Sequence, residues 1–181
     1  MESPASPPPV ERLVEEHYAS LYRYAFRLSG SGADAEDLVQ ETFCKAQVNL
    51  SQLRDAGRAR PWLFSILRNA YLHLARSERQ QPCVTLEAAG DLPEPPPEPL
   101  PDIDPERLQS ALDELPEVYR TPIILFYFEG FGYREIAEQM DLPLGTVMSR
   151  LARAKAHLRQ RLVPAAEVAN LGSVRRSHDG V

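Results

Sequence analysis

The stretch GYREIAEQMDLPLGTVMSRLARAKAHL, residues 132–158, decides how this chain is read. Ile136, Ala137 and Met140 supply the apolar side of a short helix, and the small Ala137 lets a second helix cross closely. Asp141 stands where the chain must turn sharply. Glycine is usual at such a site, but Asp tolerates left-handed backbone better than most residues. Pro143 and Thr146 suit the start of the next helix, in which Val147, Leu151, Ala154, Leu158 and Leu162 recur at four- and three-residue steps. This is the spacing of a helix-turn-helix with its second helix placed for recognition.

The outward side of that second helix carries Met148, Ser149, Arg150, Ala152, Arg153 and Lys155, with Arg159 and Arg161 beyond. From 142 to 163 there are five Lys or Arg and no Asp or Glu. Such a surface suits a DNA major groove. Arginine pairs bidentately with guanine or grips phosphate, Ser149 hydrogen-bonds, and Met148 or Ala152 meets a thymine methyl. An ordinary amphipathic helix with a solvated basic face would have the same composition. The preceding helix and the correctly spaced turn favour DNA binding.

The chain as a whole is acidic, with a formal charge of −6 over 181 residues, so the basic helix needs explaining. The excess sits between 82 and 105, in PCVTLEAAGDLPEPPPEPLPDIDP, with six acidic residues, eight prolines and no Lys or Arg. Without that stretch the remainder is neutral. Proline denies a helix its amide donor and crowds the preceding turn, and repeated carboxylates repel one another, so an extended linker is expected there. The rest divides into an acidic front at 11–41, a basic patch at 54–79 and the basic helix.

Before the linker, three segments have helical spacing. Val10, Leu13, Val14, His17, Leu21, Ala25 and Leu28 form one stripe that Gly30 should stop. Asp34, Glu36 and Asp37 favour a helix start, followed by apolar Leu38, Val39, Phe43 and Ala46. Pro61 suits a first helical position ahead of Trp62, Leu63, Ile66, Leu67, Ala70 and Leu74, with Arg68, Asn69, His73 and Arg76 roughly opposite. After the linker four more helices are expected, with Pro122 kinking the second or delaying its start and Gly130 and Gly132 making a turn. The fold class is therefore all-α, two small helical domains joined by a Pro/acidic linker.

Catalysis finds no support in the pattern. His17, His73, His157 and His178 lie on separate segments without metal-ligand spacing, so neither a metal nor a cofactor is expected. Cys44 and Cys83 form no CxxC pair, and Cys44 reads as a half-buried helix residue. The opening MESPASPPPVER lacks the basic start and apolar run of a leader, and no apolar run is long enough to span a bilayer. A reducing cytoplasm is the expected location.

Four segments in order, DAEDLVQETFCKA, RPWLFSILRNAYLHLAR, ALDELPEVYRTPIILFYFEGFGYREIAEQM and LPLGTVMSRLARAKAHL, resemble an extracytoplasmic-function (ECF) sigma factor of the sigma-70 family. The resemblance implies a flexible N-terminus at 1–9, a region 2-like domain at 10–81, a linker at 82–105, a region 4-like domain at 106–163 and a tail at 164–181. It implies a non-catalytic partner of core RNA polymerase, held on the β′ clamp helices and the β flap, that reads promoter DNA and promotes its melting. An anti-sigma factor is a further implied partner. Asp37, Leu38, Gln40, Glu41 and Phe43 match the polymerase-docking helix. Arg58, Arg60, Arg68, Asn69 and Arg76, with Arg54 nearby, match the part that opens the minus-ten element. Met148, Ser149, Ala152 and Arg153 would read the minus-thirty-five element, with Arg150 and Lys155 nearer phosphates. Met148 departs from the Arg or Lys common there. The linker would thread the polymerase's RNA-exit path. A free-standing helix-turn-helix regulator is the competing reading, and it leaves the acidic front helix unexplained.

Overall fold

A computed structural model of the chain describes residues 9–78 and 104–162, the side chains of 76–78 excepted. The expected N-terminal extension, linker and tail lie almost wholly outside the described residues, as do Cys83 and His178. Within them the regular structure is α-helical, with two single turns of 3₁₀-helix. The first half holds α1 (Val10–Ser29), α2 (Gly32–Val48) and α3 (Ala59–Glu78). The second holds α4 (Pro105–Asp113), α5 (Glu117–Tyr127), α6 (Tyr133–Met140) and α7 (Leu144–Leu162).

The helix boundaries follow local chemistry. Gly30 ends α1 in the left-handed region at φ 73°, and its N–H bonds the Phe26 carbonyl. Ser31 caps α2 by accepting from the Asp34 amide, and Asp104 caps α4 by accepting from the Glu106 amide. The α1 stripe buries Leu13, Leu21, Ala25 and Leu28, joined by Tyr24, and α2 buries Leu38, Val39, Phe43 and Ala46. Each fully buried large apolar side chain contributes about 1.5–3 kcal/mol relative to exposure.

Two expectations change and a third is narrowed. Helix α3 begins at Ala59, so Pro61 is its third residue rather than its first. Position three is still within the first turn, where an amide has no intrahelical acceptor, so the ring costs little there. Pro122 lies inside α5 and does not delay its start at Glu117. Cys44 is exposed rather than half-buried, because its neighbours Phe43 and Ala46 take the inward side of α2.

The two halves pack directly on one another and share one apolar core. Tyr24 of α1 and Phe64 of α3 have ring centroids 5.0 Å apart, and Phe131 of the second half packs on Phe64 at 5.1 Å. Helix α1 also needs partners for its terminal carbonyls, which have no intrahelical donor. Gln109 of α4 donates to the Arg27 carbonyl at 3.3 Å, and Arg120 of α5 donates to the Leu28 carbonyl at 2.7 Å. The Arg120 guanidinium is buried and also donates to the carbonyls of Asp113 and Leu115. It thus fixes the α4–α5 turn against the end of α1, where the helix dipole favours a cation. Gly30 has a second reason to be glycine, since a Cβ there would meet the Asp113 carboxylate at 3.0 Å.

Candidate nucleic-acid interface

The turn between α6 and α7 is built as the spacing requires. Asp141 adopts φ 52°, ψ 53°, and is the one non-glycine residue with positive φ among those described. The Leu142 amide reaches back to the Ala137 carbonyl at 3.0 Å, and the Asp141 amide to Glu138 at 3.4 Å. This is the paired bonding of a Schellman stop, here with Asp in the place glycine usually takes. The amides of Thr146 and Val147 then bond the Pro143 carbonyl and start α7. Val147, Leu151, Ala154 and Leu162 are buried and seat α7 on α5, α6 and α4.

What α7 presents outward is open. Met148 is 45% exposed, and Leu144, one turn earlier and missed from sequence, is 42% exposed. The half-buried Ser149 hydroxyl donates to the Thr146 carbonyl at 3.0 Å. Ala152 is half-buried on the same side. Arg153 donates to the Tyr119 hydroxyl at 3.3 Å, a neutral partner that orients the guanidinium without cancelling its charge. Among the described residues no carboxylate pairs with Arg150, Arg153 or Lys155, whereas Arg161 further along pairs with Glu114 at 2.8 Å.

The second basic set, on the turn before α3 and on α3 itself, is differently placed. Arg58 pairs with Glu138 of α6 at 2.9 Å. Arg68 lies 3.8 Å from the carboxylate of Glu117 on α5. Arg60 is wedged between two rings, 5.1 Å from the centroid of Phe64 and 4.4 Å from that of Phe131. It donates to the Glu129 carbonyl and lies 3.6 Å from the Glu129 carboxylate. Arg54, Asn69 and His73 are exposed, while Arg76 sits near the end of α3 with its side chain outside what is described. Sequence reasoning brought these cations together but missed the glutamates opposite them.

Glu129 is the most enclosed of those glutamates, its side chain 2% exposed. Burial pushes its carboxyl above the usual carboxylate range, opposed by the charges of Arg23, Arg60 and Arg27. Arg27 is lowered by its own burial, with Glu129 pulling the other way, and it lies over the Phe128 ring at 4.3 Å.

On α2, Asp37, Gln40 and Glu41 are exposed on the face matched to polymerase docking. Leu38 at 2% and Phe43 at 9% exposure are core residues instead. Both help to hold α2 to α1 and α3. Phe43 does border a shallow groove with Val14, Tyr18, Gln40 and Cys44. Among the described residues no cluster of His, Cys, Asp and Glu could hold a metal ion, and no helix is long and apolar enough to cross a membrane.

Comparison with known proteins follows the same division. The chain matches Sigma-70 region 2 over residues 13–81 and Sigma-70, region 4 over residues 106–158. It is 37% identical over 153 residues to the ECF RNA polymerase sigma factor SigL of Mycobacterium tuberculosis, covering 83% of this chain and 86% of that one. It is 36% identical over 169 residues to the ECF RNA polymerase sigma factor SigE of Mycolicibacterium smegmatis, spanning 87% of this chain but 63% of that protein's length. Among solved structures, the sigma factor RpoE of Bartonella quintana, in complex with the anti-sigma factor NepR, superposes with a TM-score of 0.66 at 27% identity, covering 83% of this chain and 94% of that one. CnrH, in complex with the cytosolic domain of CnrY, gives a TM-score of 0.61 at 26% identity, covering 83% of this chain and 85% of that one. With both regions in order and the SigL likeness running through both halves, the chain belongs to the ECF RNA polymerase sigma factors of the sigma-70 family.

Proposed function

We propose that this protein binds core RNA polymerase, reads the minus-ten and minus-thirty-five elements of a promoter, and promotes the melting that starts transcription. It acts as an initiation factor in the cytoplasm and not as a catalyst. The observation that carries this reading is the outward face of α7, cationic and without carboxylate partners among the described residues, on a chain that also carries region 2. Arg153 and Ser149 read base edges, Met148 and Ala152 supply apolar contact, and Arg150 and Lys155 hold phosphates. Arg58, Arg60, Arg68, Asn69 and Arg76 grip the unpaired strand of the minus-ten element. Asp37, Gln40 and Glu41 form the exposed part of the surface offered to the β′ clamp helices, and region 4 meets the β flap. The domains run 10–81 and 106–163, with the linker at 82–105 between them. RpoE was captured with the anti-sigma factor NepR and CnrH with the cytosolic domain of CnrY, which supports a protein inhibitor for this chain too.

The test is in vitro transcription with core polymerase and a randomised promoter library. Start sites sharing two elements, seen only when this protein is added, are expected. Retention of DNA affinity without polymerase binding would favour a free-standing regulator.

A further inference from the structure

Among the described residues, two of the large apolar side chains open to solvent stand one turn apart at the start of α7. Leu144 is 42% and Met148 45% exposed, and neither joins the apolar core. Single exposed apolar residues are ordinary on a protein surface. A pair at i and i+4 is one continuous patch, because side chains four apart on a helix are neighbours. Beside them Gly145 is exposed, and a Cβ there would meet nothing within 4 Å. Neither a positive φ nor a close neighbour within the chain calls for glycine at this position. Its bare backbone keeps the helix low next to the patch, which allows a second molecule to come close.

The patch lies among the cations of α7, where Arg150, Arg153 and Lys155 have no carboxylate partner among the described residues. A partner that meets both carries negative charge around small apolar groups. Duplex DNA does so, with phosphates along the groove walls and the C5-methyl of thymine among the base edges of the major groove. Leu144 and Met148 have no proton to give to guanine and no charge to give to phosphate. Laid over a G·C edge, they would bury its polar groups unpaired, so they reject that pair as well as favouring thymine. The start of a recognition helix is the part that reaches base edges. The four-residue step from Leu144 to Met148 rises about 6 Å, close to two base-pair steps of about 3.4 Å.

We infer that Leu144 and Met148 together read thymine methyl groups, so that two A·T pairs about two steps apart are preferred where the minus-thirty-five element faces the start of α7. This rests on the reading of α7 as the minus-thirty-five helix, and it adds Leu144 as a specificity-determining residue. Arg153 supplies hydrogen bonds further along the element, and Arg150 and Lys155 supply affinity that is blind to sequence. Each methyl covered contributes about fourfold in affinity, and the two together about 15-fold.

The test uses holoenzyme assembled from the full chain and core polymerase, with duplex promoters that it selects from a pool randomised in the minus-thirty-five element. Thymines enriched there are replaced by uracil, which removes only the C5-methyl group. Uracil at both positions should weaken binding about 15-fold. The Leu144→Ala, Met148→Ala double variant should bind the thymine duplex about as weakly and no longer distinguish thymine from uracil. Arg153→Ala should weaken binding to both duplexes alike and keep the distinction. Met148→Arg should shift selection at one of the two positions from thymine to guanine, a gain that a misfolded variant could not give. Affinity for core polymerase, measured in parallel, should be the same for all four proteins. The inference is overturned by a selection that enriches no thymine, by equal binding of thymine and uracil duplexes, or by a distinction that survives loss of both side chains. Absence of the Met148→Arg shift overturns it too, by removing Met148 from the base edge. If Arg153→Ala still weakens promoter binding in these cases, the minus-thirty-five reading of α7 stands. Indifference of promoter affinity to every α7 substitution removes that reading as well. Loss of core-polymerase affinity in the double variant would show that polymerase covers the patch, which also overturns the inference.

Discussion

Arg60 and Arg153 sit on basic surfaces of one small protein, yet their surroundings differ completely. Arg60 is held between Phe64 and Phe131, beside a carboxylate that is itself buried. Arg153 touches one phenol, that of Tyr119, and no acid among the described residues. The same side chain is thus engaged within the fold in the first half and open at the surface in the second. Composition cannot separate these cases. A cation's availability depends on what the tertiary fold places above it.

The largest effect should come from cutting the contact that creates the difference. Phe131→Ala removes a fully buried ring bridging both halves, and should cost about 3–5 kcal/mol in denaturant unfolding. If the halves were merely touching, the cost would be near that of a surface change, within about 0.5 kcal/mol. A smaller effect, confined to function, is expected on the open side. Arg153→Ala should weaken binding to the selected minus-thirty-five duplex by about 1–3 kcal/mol, with the melting temperature little changed. A loss of folding stability of the same size would mean that the Tyr119 contact is structural.

Asp141→Val tests whether the open helix depends on its turn. A β-branched residue at φ 52° should destabilise the second half by about 1–2 kcal/mol and weaken duplex binding in parallel. The smallest effect is a pH slope. Burial holds His17 below its usual 6.5, with Glu16 opposing and Arg60 adding to the depression. The unfolded chain therefore takes the proton more readily, so stability is full above 6.5 and declines as pH falls through the folded value. Glu129 works in the opposite sense. Its raised value favours the folded chain at acid pH, and that contribution is lost as pH rises from 4.5 through the folded value. Urea midpoints measured across pH in a Glu129→Gln background should isolate the His17 slope, and His17→Gln should flatten it.

The legible parts of the fold were those written in neighbouring residues. Asp141 was readable because a turn of that length needs a left-handed residue between Met140 and Pro143, and it adopts that conformation. The α7 stripe was readable because four- and three-residue steps leave one side of a helix apolar. Leu38 and Phe43 were harder. Their spacing marks them equally well as core or as contact side chains, and only the packing of α2 on α1 and α3 put them inside. Cys44 was misjudged for the same reason, since a one-residue step turns a side chain by about 100° on a helix. The glutamates opposite α3 left no local sign. Glu129 is 69 positions from Arg60, and Glu138 is 80 from Arg58.

The sequence by itself determined the helices, the turn at Asp141 and the cationic face of α7, because each depends on interactions within a few residues. The tertiary structure decided which cations remain free. That outcome turns on Arg120 reaching the Leu28 carbonyl and Phe131 reaching Phe64, which bring Glu117, Glu129 and Glu138 onto α3 and the turn before it. Contacts between residues tens of positions apart form only once both helical halves exist, so no window of the sequence contains them.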